Sequence, residues 1–214
     1  IGKKGDIGFV VADVCDKGVG AALFMALFRS LIRVLSGSER DGSQLGNHTS
    51  RYDPARTLQH TIQAVNNYIS ITHEADSMFS TIFFGILSPK SGVLSYINGG
   101  HEPPIIIGSQ QIKTYLKPTG PAVGIYPNAV FSVRDIRLEP EDILLAYTDG
   151  VIDAQNKAGE YFAKDRFTAL ITDSGPSAKS LIDRIVSNIN EHKKGQDQFD
   201  DITILALRRE AMGE

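Results

Sequence analysis

Apolar positions along the chain fall into runs of two textures. Over residues 7–12 they are almost continuous and β-prone ("IGFVVA"), which predicts a strand buried on both faces that stops at Asp13. Past Gly18, "VGAALFMALFRSLIRVL" repeats at helical spacing and predicts a helix over 19–35, closed by Gly37. Arg29 and Arg33, four residues apart, mark its wetter face. "SGSERDGSQLGNHTSRY" is a polar loop. Asp53 and Pro54 are the N-cap and first position of a second helix that reaches Thr72.

After that helix the period changes to that of strands. "STIFFGIL" and "VLSYING" predict a hairpin turned by Pro89 and Gly92. "PPIIIG" and "IKTYL" predict two short strands, and "AVFSVRDIRL" with "ILLAYT" a second hairpin around "EPED". Helical spacing returns in "SAKSLIDRIVSNINEHKKG", capped by Ser177 and basic at its end, and "ITILALRR" is the last strand. Strands arranged in antiparallel pairs with helices between them predict an α+β fold in which helices cover sheet faces.

The 214 residues suffice for a full core and show no repeat or linker, so one domain is expected. A net charge of −3 gives no electrostatic footprint for nucleic acid and no polybasic surface for lipid. The apolar runs are shorter than the ~20 residues of a membrane span, so no membrane contact is expected. The single cysteine, Cys15, fits a reducing compartment and predicts a cytoplasmic protein. The chain opens at Ile1 almost inside a strand, so an upstream strand is expected to be missing.

Chemistry concentrates where strands stop. Asp13 ends the first strand, Asp149 follows "ILLAYT", and Asp200 with Asp201 opens the last strand. If that strand runs antiparallel to its neighbours, its start lies beside their ends and the carboxylates share one sheet edge. Gathered carboxylates repel, and no Lys or Arg adjoins any of them in sequence. A divalent cation is the natural partner, and all-oxygen ligands favour Mg²⁺ or Mn²⁺ over Zn²⁺. Taken singly, each of these aspartates is an ordinary turn or cap residue.

"ADVCDKGVGAALFMA", "STIFFGILSPKSGVLSYINGGHEPP", "LLAYTDGVIDAQN" and "QFDDITILAL" occur in an order and spacing that resemble a bacterial phosphatase group. This group is the sporulation-protein E and sigma-factor-regulator (SpoIIE/RsbU-type) branch of the metal-dependent protein phosphatase (PPM, protein phosphatase 2C) superfamily. The resemblance covers residues 5–208. It implies a central antiparallel β-sandwich flanked by pairs of antiparallel helices, and a single phosphatase domain over 1–214. It also implies two Mn²⁺ or Mg²⁺ ions held by Asp13, the Val14 carbonyl, Asp149, Asp200 and Asp201. The implied reaction is hydrolysis of phosphoserine or phosphothreonine by metal-activated water, with catalysis carried by Asp13, Asp149 and Asp200. The implied substrate is a phosphorylated anti-sigma-factor antagonist of the STAS type, with an upstream sensor or receiver domain as regulator; a homodimer stays open. The alternative is a catalytically silent docking module that keeps the phosphatase fold.

Two departures from the family pattern bear on mechanism. Cys15 stands where the eukaryotic branch carries a histidine proposed as general acid, and the upstream acidic motif and phosphate-binding arginine are not in this chain. A cysteine-phosphatase reading fails because Ala21 occupies the position that such chemistry gives to arginine. "GVGAAL" lacks the Lys-Ser/Thr of a phosphate-binding loop. His101 in "NGGHEPP" is expected to be held in a tight turn, and Asp16 and Asp153 to cap or support the site. His48, His60, His73 and His192 lack metal-ligand spacing and are expected at the surface.

Overall fold

Local chemistry starts the helices where the sequence predicts them. The Asp53 carboxylate accepts a hydrogen bond from the Ala55 amide, and Pro54 needs no partner at the first helical position. Ser177 forms a reciprocal capping box with Ser180. In this computed structural model, which describes residues 5–41, 52–73, 78–109, 111–172, 177–198 and 200–210, the chain divides into two compact units. The first comprises Ile1–His101 and Pro118–Arg137, the second Glu102–Lys117 and Leu138–Glu214.

The first unit is an antiparallel sheet in the order β1-β2-β3-β6, built from β1 (Ile7–Val14), β2 (Ser80–Leu87), β3 (Val93–Gly99) and β6 (Arg134–Arg137). Two helices, α1 (Val19–Asp41) and α2 (Pro54–Thr72), pack on each other and on this sheet. Phe24, Phe28 and Ile32 repeat every four residues along α1, and Leu58, Ile62, Val65 and Ile69 form the matching stripe of α2. They close on Ile82, Phe84 and Ile97 of the central strands. Asn66 and Asn67 of α2 hold the 124–128 turn, through Gly124 and Asn128 amides donating to their side-chain oxygens.

The second unit is an antiparallel sheet in the order β5-β4-β7-β8, from β4 (Ile105–Gly108), β5 (Gln111–Tyr115), β7 (Ile143–Tyr147) and β8 (Ile204–Arg208). Helices α3 (Lys164–Thr172) and α4 (Ala178–Lys193) pack together and against β5 and β8. All five residues of β7 are buried, because it is flanked by β4 and β8 and covered by Phe167, Leu181 and Ile185. Two antiparallel sheets, each carrying a helix pair, make the α+β class expected from the pattern.

Five expectations need correction. Among the described residues β1 pairs with β2 alone, and Ile7, Gly8 and Val10 on it are exposed; a continuous apolar run does not by itself require two covered faces. α1 runs on to Asp41, past Gly37, so one glycine did not stop it. "AVFSVRDIRL" and "ILLAYT" do not form a hairpin: only Arg134–Arg137 is a strand, and it pairs with β3 while β7 pairs with β4 and β8. The polar β6 suits an edge, whereas the wholly apolar β7 needs neighbours on both sides. α3 carries only Phe167 and Ile171 as buried anchors and was not signalled. Within α1, Val19–Gly37 is long and apolar enough to cross a membrane by length and composition, contrary to the reading of its run length. Core helices pass the same test, and one stripe of this one lies in the first unit's core. The centre of the expected 36–52 loop and His48 lie outside the described residues.

Candidate active site

β7 and β8 are antiparallel, with Tyr147 opposite Ile204, so the end of one lies beside the start of the other. Thr148 fastens this junction. Its amide donates to the Thr203 carbonyl (3.1 Å), its hydroxyl donates to the Asp201 carbonyl (2.8 Å), and the Thr203 amide donates to that hydroxyl (2.9 Å). The chain then enters a 3₁₀ turn over Asp149–Val151, in which the Ile152 and Asp153 amides both donate to the Asp149 carbonyl (2.8 and 2.9 Å). Gly150 is buried against the crossing segment. A Cβ there would stand 2.4 Å from the Asp201 carbonyl oxygen and 3.2 Å from that of Asp200. The glycine after Asp149 is therefore a requirement of close backbone approach, not of backbone dihedral.

Three carboxylates gather around this crossing. Burial pushes the Asp153 carboxyl above its ordinary pKa, and the charges of Asp149 and Asp200 push it further in the same direction. Asp200 also accepts from the Asp201 amide through Oδ1 (2.9 Å), which fixes its carboxylate beside the start of β8. Asp201 itself is exposed, and its backbone carbonyl rather than its carboxylate makes the contacts with Thr148 and Gly150. Of the residues expected from sequence, the second unit thus brings together Asp149 and Asp200, with Asp201 adjoining. Asp153, expected to cap or support the site, feels the charges of both, and the structure adds Thr148 and Gly150, the latter signalled by the glycine inside "TDGV".

Asp13 and Val14 occupy the C-terminal end of β1 in the first unit, opposite Thr81 and Ser80. The Ser80 hydroxyl donates to the Asp13 carbonyl (2.8 Å), and the Cys15 amide donates to Phe79 (3.0 Å), so the backbone here is tied beyond the last strand pair. The Phe79 amide in turn donates to Cys15 Sγ (3.1 Å). His101 is buried: its Nδ1 shares a hydrogen bond with the Thr81 hydroxyl (2.9 Å), and its amide donates to Asn98 Oδ1 (2.8 Å). It holds the turn, as its glycine-proline setting suggests. Gly18 has φ +91 and makes the bend after Asp16, whereas Gly20 has nothing within 4 Å of an added Cβ, so close helix packing is not its reason. His60 is exposed; His73 closes α2 and meets Phe24 edge-on, and His192 binds Arg166 and the Glu160 carbonyl.

The donors at the β7–β8 crossing are all carboxylate or carbonyl oxygens, which in kind suit a hard cation such as Mg²⁺ or Mn²⁺. Their mutual repulsion is the physical reason a cation would be welcome there. Among the described residues, no group of three or more His, Cys, Asp or Glu side chains is drawn closely enough to hold a metal ion as it stands.

The chain matches the family described as Stage II sporulation protein E (SpoIIE) over residues 3–210. It is 39% identical over 213 residues to Protein IcfG of Synechocystis sp., covering 95% of this chain and 34% of that protein. It is 25% identical over 207 residues to the phosphoserine phosphatase RsbU of Bacillus subtilis, covering 96% of this chain and 56% of RsbU. Among solved structures, the RsbU and RsbW domains of Rv1364c from Mycobacterium tuberculosis superpose with a TM-score of 0.65 at 25% identity, over 96% of this chain and 53% of that one. The chain therefore spans between about a third and just over half of these proteins.

Proposed function

The chain belongs to the SpoIIE family, and from that premise we propose that it is a single phosphatase domain that hydrolyses phosphoserine or phosphothreonine in a protein substrate. What supports the reading is the family match over residues 3–210 together with the antiparallel β7–β8 crossing, which sets the Asp149 turn directly against the Asp200–Asp201 backbone. As the family resemblance implies, the metal ligands in this reading are Asp13, the Val14 carbonyl, Asp149, Asp200 and Asp201. When bound, two Mg²⁺ or Mn²⁺ ions would supply Lewis acidity to the phosphoryl group and activate the attacking water.

The chain's own residues set the geometry. Thr148 and Gly150 lock the Asp200–Asp201 backbone against the turn that presents Asp149. Ser80 fixes the peptide of Asp13 through its carbonyl. Burial and the charges of Asp149 and Asp200 hold the Asp153 carboxyl above its ordinary pKa. No side chain here forms a covalent phosphoenzyme in this reading, and Cys15 is half-buried against Phe79 rather than poised as a nucleophile.

As the family resemblance implies, the substrate in this reading is a phosphorylated anti-sigma-factor antagonist of the STAS type, met in the cytoplasm, with an upstream sensor or receiver domain governing activity; the relative RsbU is a phosphoserine phosphatase. The test is release of phosphate from such a phosphoprotein with Mn²⁺ or Mg²⁺ and with chelator. Hydrolysis is expected only with metal, and Asp13→Asn and Asp149→Asn are each expected to lower it at least about 100-fold, the upper end of what losing a ligand's mere support does. Stoichiometric binding of the phosphoprotein with no turnover under any metal would instead identify a docking module.

A further inference from the structure

A cavity of about 640 Å³ lies wholly in the second unit, between α3, α4 and the turn at residues 156–162, and none of Asp149, Asp153 or Asp200 lines it. That volume is in the range of small-molecule sites, roughly 300–1,000 Å³. Its apolar lining comes from Ala158, Phe162, Ala169 and Leu170. Three cations, Lys157, Arg166 and Lys194, face one carboxylate, Glu191, in a chain whose net charge is −3.

Glu191, the one carboxylate in this lining, can offset at most one of the three cations. Arg166 Nη1 donates to His192 Nδ1 (2.8 Å), and His192 Nε2 donates to the Glu160 carbonyl (3.0 Å). His192 thus holds the guanidinium in place through its ring and brings no carboxylate to cancel its charge. Among the described residues neither Lys157 nor Lys194 makes an ion pair. Lys194 also caps α4 in the left-handed region (φ 43, ψ 46), a position that favours glycine, yet it carries a lysine. Phe162 is 3% exposed and set edge-on to His192, so it offers no open ring face on which a nucleobase could stack.

We propose that this cavity binds a small amphipathic organic anion, with an apolar body on the Ala158–Leu170 side and a carboxylate, sulfonate or phosphate head among Lys157, Arg166 and Lys194. The probe pair is anilinonaphthalene sulfonate and its neutral relative N-phenylnaphthylamine, added to the 214-residue chain and to a Lys157→Ala/Lys194→Gly variant. Both substituted residues are exposed, and glycine suits the backbone at 194, so the variant is expected to keep the wild-type melting temperature. Saturable one-to-one binding of the sulfonate is expected, with amide NMR shifts confined to residues 156–170 and 188–194. The variant is expected to lose at least about tenfold in affinity, as fits the removal of charge-assisted contacts. The neutral probe should bind more weakly and equally to both proteins. No saturable binding, shifts centred elsewhere, equal sulfonate affinity in the variant, or neutral-probe binding as tight as that of the sulfonate would each overturn the assignment.

Discussion

A Cβ at Gly150 has nowhere to go, since the atoms it meets are backbone atoms of the next segment rather than a side chain that can swing aside. Gly150→Ala is expected to destabilise the protein by about 1–3 kcal/mol and to displace Asp200 and Asp201, which chemical denaturation and Mn²⁺ affinity would report together. Asp153 makes a prediction of the opposite sign. Its pKa is raised in the folded chain, so the stability tied to its proton is present below the ordinary carboxylate pKa and is lost as pH rises through the folded value. At neutral pH the ionised group opposes folding. Asp153→Asn should therefore raise the melting temperature in chelator at neutral pH, with a gain that fades on acidification; a gain independent of pH would contradict this origin.

At the scale of elements, caps behave as local chemistry dictates. Ser177→Ala removes the half of the α4 capping box in which the Ser177 hydroxyl accepts from the Ser180 amide, and is expected to lower stability by about 1 kcal/mol, measurable as a lower melting temperature. The same locality explains what was legible in the sequence. Asp53-Pro54, Ser177 and the Pro89–Gly92 turn act within a few residues, and so they showed; Gly92 has φ 76 and its amide closes on Ser88. α3 did not show because a nine-residue helix with two buried anchors depends on the floor beneath it, and that floor is Tyr147, whose ring lies 4.5 Å from Phe167. The mistaken β6–β7 hairpin has the same cause, since strand partners are chosen by burial across the sheet and not by nearness in sequence. At the candidate site, the aspartates announced themselves by standing at strand ends, whereas Thr148 and Gly150 matter through contacts about 50 residues away in the chain.

For the whole molecule, the main feature is that the two units are interleaved in sequence. The chain leaves the first at His101, returns at Pro118 and leaves again after Arg137, so neither unit is one continuous piece. The second needs β4 from residues 105–108 beside β7, because without it one edge of a wholly buried strand is bare. A fragment of residues 138–214 is thus expected to lack cooperative unfolding by circular dichroism, while the full chain melts in a single transition. Saturating Mn²⁺ should raise that transition, as any ligand bound only by the folded state does, and chelator should reverse the rise.

Interleaving also has a consequence on the ribosome. β4 and β5 are made early, yet the sheet that contains them cannot close until β7 and then β8 have left the exit tunnel. Asp200 and Asp201 arrive with that last strand, so a stalled or prematurely released polypeptide has no finished acidic crossing at all. In living cells, translation itself sets the earliest moment at which this centre can assemble.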